Sequence, residues 1–174
     1  MNKELIEKLL QRLKYFPLEQ DIKIMEVCGT HTVQFLKTGI KDFFPKRLHL
    51  VDGPGCPVCV TPNYYLDNAL AIAKRHNVII ATFGEMVKVP SSTVSLKESM
   101  GEGVDVKIVY SPLDALKLAK ENRQKEIMFL SVGFETTTPL EAAVVQKAKQ
   151  EGIRNFSLLT GNKMTPPAVK ALLD

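Results

Sequence analysis

Two cysteines separated by a proline and a valine, Cys56-Pro57-Val58-Cys59, bring two sulfurs close enough either to bridge each other or to chelate one soft metal ion. The loop around them is Asp52-Gly53-Pro54-Gly55-Cys56-Pro57-Val58-Cys59-Val60. Its glycines permit turns that a side chain would obstruct, and its prolines limit the conformations open to the thiols, so a preorganised pair is expected. The chain's third cysteine, Cys28, sits in Glu26-Val27-Cys28-Gly29-Thr30-His31-Thr32. If Cys56 and Cys59 pair, Cys28 remains a thiol, and a thiolate is what a metal centre or an electrophile requires. Gly29 opens the approach to it. His31 suits three roles: a ligand, a proton acceptor for the Cys28 thiol, or a loop residue bonded to backbone. His49 falls within an expected strand and His76 at a helix end, where an imidazole needs no further purpose.

Four carboxylates, Glu26, Asp52, Glu85 and Glu135, end strands or follow them. Negative charge beside thiolates calls for a compensating cation, which a metal would supply; the competing reading is that such residues cap helices or accept loop amides. That second reading applies most directly to Glu135, in Gly133-Phe134-Glu135-Thr136-Thr137, just ahead of a helix.

These segments are separated by a regular alternation of elements. Leu5, Ile6, Leu9, Leu10 and Leu13 mark one face of a helix over Lys3 to Tyr15, ended by Pro17. Apolar, β-branched runs follow at Ile22 to Val27, Leu48 to Val51, Val78 to Phe83, Val104 to Tyr110, Ile127 to Val132 and Phe156 to Leu159, with helical patterns between most of them. Six strands alternating with helices predict an α/β fold: a doubly wound, mostly parallel sheet with helices on both faces, Rossmann-like. The cysteine loops and their companions would gather at the rim where the strands' carboxyl ends lie. Thr61-Pro62, Ser111-Pro112, Thr138-Pro139 and Thr165-Pro166 are read as capping hydroxyls before helix-starting prolines, with capping boxes at Thr138/Glu141 and Ser111/Asp114. The expected organisation is an N-terminal helix over 1–20, an α/β domain over 21–164 and the start of a further helix over 165–174. Because that last helix reaches Asp174 without a closing signal, the chain is expected to be a fragment of a longer multidomain protein.

Bulk properties narrow the function classes. With 174 residues, 45% hydrophobic and 24% charged, the chain can bury a core without disulfide staples, so its cysteines are expected to serve reactivity. The formal net charge of +4 comes from scattered lysines, which gives little support to nucleic-acid binding. No stretch has the character of a signal peptide or a membrane span, and a cytoplasmic protein is expected. The sequence contains no GxxxxGK[ST], and Gly53-Pro54-Gly55 does not continue as GxGxxG.

Taken in order and spacing, Glu26-Val27-Cys28-Gly29-Thr30-His31-Thr32, Gly53-Pro54-Gly55-Cys56-Pro57-Val58-Cys59 and Gly133-Phe134-Glu135-Thr136-Thr137 resemble the signatures of the HypD family of nickel-iron hydrogenase maturation proteins. The resemblance spans essentially the whole chain but departs from the family in length. It implies a scaffold, without classical substrate turnover, on which iron acquires cyanide and carbon monoxide as Fe(CN)2CO before delivery to the hydrogenase large subunit. A HypC-type small chaperone would share the iron, and a HypE-type protein would donate the cyanide. The family's 4Fe-4S cluster is held by cysteines of a region that this chain does not contain. Carried over by residue, Cys28 would bind the iron, and Cys56 and Cys59 would form the redox pair. Gly29, Thr30, His31 and Thr32 would shape the Cys28 site, with Glu135 lining the same cleft. Two other readings stand beside this one. Cys28, Cys56, Cys59 and His31 could form a structural zinc site, or Cys56 and Cys59 could serve a stand-alone thiol-disulfide oxidoreductase.

Overall fold

The computed structural model describes residues 3–53 and 55–173, apart from the side chain of Thr30. Its elements run α1 (Lys3–Lys14), β1 (Ile22–Glu26), α2 (Gly29–Thr38), β2 (Leu48–Asp52), α3 (Asn63–Arg75), β3 (Val78–Thr82), α4 (Leu96–Gly101), β4 (Val106–Ile108), α5 (Pro112–Glu121), β5 (Glu126–Ser131), α6 (Thr138–Gln150), β6 (Phe156–Thr160) and α7 (Thr165–Leu173). All pairings between these strands are parallel, as the alternation predicts. The α/β class is therefore as read from the sequence, but the expected single sheet is not formed. The strands divide into a two-stranded sheet, β1-β2, and a four-stranded sheet in the order β4-β3-β5-β6. Apolar runs specify strands without specifying which strands pair, so a break between β2 and β3 leaves no mark in the periodicity.

The chain forms two compact units, residues 1–56 with 166–174 and residues 57–165. The boundary falls between Cys56 and Pro57, within the 21–164 span expected as one domain and inside the Cys-Pro-Val-Cys motif itself.

In the second unit the doubly wound pattern is complete. Every residue of β3, Val78–Thr82, is buried, as a central strand covered on both faces requires. Val78 and Ile80 pack with Tyr65, Leu66 and Leu70 of α3 and Leu96 of α4. Ile79 and Ala81, pointing the other way, pack with Ala115 and Ala119 of α5 and with Phe129. Val58, between the paired cysteines, is half-buried against the first of these clusters.

The first unit holds a single β-α-β turn of the chain together with α1 and most of α7. Ile22 to Glu26 pair in register with Leu48 to Asp52, and α1 touches the short 3-10 turn Ile40–Phe43. None of the fully buried apolar residues belongs to this unit among the described residues, and Leu5 and Leu9 of the expected α1 face are exposed.

Three helix starts differ from the sequence reading, one of them because Thr165 is the first residue of α7 and not its cap. Thr61 does not cap α3; its Oγ1 donates to the Pro57 carbonyl oxygen at 2.8 Å, closing a turn around the cysteine loop. Thr138 is the first residue of α6, not its cap, and Glu141 is buried on Asn162 instead of completing a box. Ser111 caps α5 as expected, accepting the Asp114 N–H. A full capping box that the proline signal did not mark joins Ser95 and Glu98 at the start of α4.

Candidate functional site

The Cys28 loop is built by the geometry of the β1-α2 junction. β1 ends at Glu26, Cys28 takes an extended conformation (φ −120°, ψ 113°) as the N-cap of α2, and its side chain makes no capping hydrogen bond. Helix N-caps commonly use a side-chain oxygen to satisfy the first free N–H groups; the sulfur here is left out of that duty. The Cys28 carbonyl oxygen instead opens the helix ladder by accepting the Thr32 N–H at 3.1 Å.

Three contacts fix this backbone. Glu26 Oε1 accepts the Cys28 N–H at 2.8 Å, and the same oxygen lies 3.3 Å from Nδ1 of His31. Gly29 N–H donates to the Gly55 carbonyl oxygen at 3.4 Å, while Gly53 N–H donates to the Glu26 carbonyl oxygen at 2.8 Å. The loop after β2 thus lies directly on the loop after β1, and Thr32 Oγ1 donates to Asp52 Oδ1 at 3.2 Å. Glycine is required where the two loops meet. A Cβ on Gly55 would lie 2.8 Å from both the Cys28 carbonyl carbon and the Val27 oxygen, closer than real Cβ atoms come.

The structure therefore gathers Glu26, Cys28, His31, Thr32, Asp52, Gly53 and Gly55 at the carboxyl end of the β1-β2 ladder, in the first unit. Cys28 and Cys56 are half-buried and Cys59 is exposed. Cys59 and Glu135 belong to the second unit. Glu135 there accepts from the Thr165 N–H at 2.6 Å and the Thr165 hydroxyl at 2.7 Å, and these bonds, the hydroxyl's first, hold its carboxyl below the usual range. The helix-capping reading of Glu135 is the one its contacts fit, though the helix whose first residue it holds is α7, not α6. The side chain of Thr30 and the whole of Pro54 lie outside the described residues.

No group of three or more His, Cys, Asp or Glu side chains among the described residues is arranged to hold a metal ion.

A profile described as HypD, the hydrogenase formation hypA family, matches residues 2–174. The chain belongs to the HypD family. A hydrogenase maturation factor HypD of Azotobacter vinelandii is 44% identical over 156 residues, covering 89% of this chain and 41% of that protein. The HypD of Escherichia coli K12 is 40% identical over 173 residues, covering 98% and 46%. A putative hydrogenase expression/formation protein of Methanocaldococcus jannaschii is 40% identical over 174 residues, covering 99% and 48%. The chain thus spans less than half the length of these HypD-type relatives.

The sequence marks Glu26 only as one carboxylate among four, without placing it in the Cys28 site. Its position two residues before a cysteine N-cap was the available signal. A second group had no local signal at all. Ser131 donates to Asn162 Oδ1 at 2.8 Å, and Asn162 Nδ2 donates to the buried Glu141 Oε2 at 3.0 Å, across some thirty residues of sequence. Beside it, Tyr65 donates to the Leu159 carbonyl oxygen at 2.6 Å, and burial, reinforced by the charge of Glu141, pushes its phenol well above the ordinary range.

Proposed function

We propose that this chain carries the iron-handling thiol of a hydrogenase maturation scaffold, with Cys28 as the protein ligand that holds iron while it gains cyanide and carbon monoxide. The single observation behind this reading is the state of Cys28. Its backbone is tied on two sides by Glu26 and the Gly55 loop, while its sulfur is spared from helix capping. A soft thiolate at the N-terminus of α2, where the helix dipole favours negative charge, suits an iron ion whose other ligands are cyanide and carbon monoxide. The iron group, Fe(CN)2CO, is cargo here and not a resident cofactor.

Cys56 and Cys59 act in this scheme as a redox pair, supported by their spacing and by the proline-restricted loop. The partners are a HypC-type chaperone that shares the iron, a HypE-type cyanide donor and, at the end of the route, the hydrogenase large subunit. Such work belongs in the cytoplasm; no helix among the described residues is long and apolar enough to cross a membrane.

The test compares the chain with its Cys28→Ser variant, each co-expressed with the maturation partners, purified without oxygen and measured for bound iron and for the infrared bands of metal-bound cyanide and carbon monoxide. Iron and bands present in the parent and absent from the variant are expected. Equal iron in the two preparations would remove Cys28 as the anchor.

A further inference from the structure

We propose that Glu26 is a positioning residue for the Cys28 site: its Oε1 takes the Cys28 N–H and the Nδ1–H of His31 together, holding the imidazole in the tautomer whose Nε2 carries the lone pair. The inference deepens the reading of Cys28 as a metal-binding thiol and rests on it.

The local geometry carries it. In a capping box the N-cap N–H is satisfied by the side chain at the third helical position, which reaches back to it. With Cys28 as N-cap, the third helical residue of α2 is His31, yet the Cys28 N–H is taken from upstream, by Glu26 at 2.8 Å. His31 is thereby released from reaching back, and its ring joins the same oxygen, Nδ1 to Oε1, at 3.3 Å. A carboxylate only accepts, so Nδ1 must supply the hydrogen, and in the neutral ring Nε2 is then left bare.

Glu26 is also the better anchored partner. Its side chain is only 18% exposed against 64% for His31, and its own carbonyl oxygen is held by the Gly53 N–H. One carboxylate therefore fixes the thiol's backbone and the imidazole's protonation pattern at once, as carboxylates behind histidines do in metal sites. The opposite tautomer would offer an N–H at Nε2, which can neither ligate a metal nor accept the proton a thiol releases on binding one.

The experiment uses the chain labelled with 15N at histidine, near pH ~8 where an ordinary imidazole is neutral. Long-range 1H–15N correlations report which ring nitrogen is protonated, and His31→Asn assigns the signal. Nδ1–H is expected for His31 in the parent and in Glu26→Gln, which keeps a carbonyl acceptor; Glu26→Ala should shift the ring to Nε2–H or to rapid averaging. An Nε2–H or averaged ring in the parent overturns the proposal outright, even if Glu26→Ala fails to fold, and so does a Glu26→Ala ring unchanged from the parent. Iron content of Cys28→Ser is read separately. Retention there would sink the iron assignment while leaving the tautomer result to stand or fall by itself.

Discussion

Gly55 lies against the main chain of Cys28, and its carbonyl oxygen accepts the N–H of the residue that follows that cysteine. The contact leaves no room for a methyl group, because the atoms it would meet are backbone and not the yielding ends of side chains. Gly55→Ala is therefore expected to push the two loops apart, at a cost of about 1–3 kcal/mol. Amide shifts should change at Val27, Cys28 and Gly29, while those of Ile80 and Phe129 in the four-stranded sheet stay where they are. Unmoved signals around Cys28 would show that the loops do not press on each other in solution.

The bonds from Thr165 hold the Glu135 carboxyl below its usual range, so Glu135 binds its proton less readily in the folded chain than in the unfolded one. The stability this contributes is present above the unfolded carboxylate value and is lost as pH falls through the lowered folded one. Thr165→Val removes the hydroxyl donor and keeps the N–H, so the Glu135 carboxyl should titrate closer to the ordinary range of about 4.3. Carbon-13 detection of the glutamate carboxyls across an acid titration checks this. A midpoint unchanged in the variant would mean that the hydroxyl is not the main cause.

Asn162 joins Ser131 to the buried Glu141, and removing its amide strands a carboxyl group inside the protein. Asn162→Leu is expected to lose about 1–3 kcal/mol, or more where the stranded group is charged. Ser131→Ala, which leaves Glu141 partnered, should cost less. Denaturant unfolding of the two variants beside the parent separates them, and equal losses would count against Asn162 as the bridge.

At the start of α4, Ser95 and Glu98 satisfy each other's backbone N–H groups. Ser95→Ala should cost roughly 1 kcal/mol of stability. Because the box lies in the second unit, the iron binding proposed for Cys28 should be unaffected. A variant that loses iron in proportion to stability would tie the Cys28 site to the larger unit's folding.

The class of fold was legible because it depends on local pattern. Strand residues such as Val78 to Ala81 and Ile127 to Leu130 are apolar on both faces, the run that a sheet covered on both sides takes. The separation of β1-β2 from the other strands was not legible, since pairing is decided by tertiary packing after the strands exist. At the site, Cys28, His31 and the glycines announced themselves through residue type and spacing. Glu26 did not, because its importance lies in which way a common side chain turns. Glu141 was misread for a related reason: a glutamate three residues into a helix satisfies the capping rule, yet burial on Asn162, far away in sequence, outbids the local rule. Thr61 likewise follows a turn back to Pro57 and not the helix ahead of it.

Among the described residues the buried apolar side chains lie in the second unit, whereas the thiol proposed to hold iron sits in the first. A melting curve on this chain would therefore be dominated by a region that does not contain Cys28. Variants ranked by heat resistance, by expression yield or by survival of protease would be ranked mostly on the four-stranded sheet. A change that ruined the Cys28 loop could pass every such screen, so any survey of mutations here needs a readout taken at the sulfur itself.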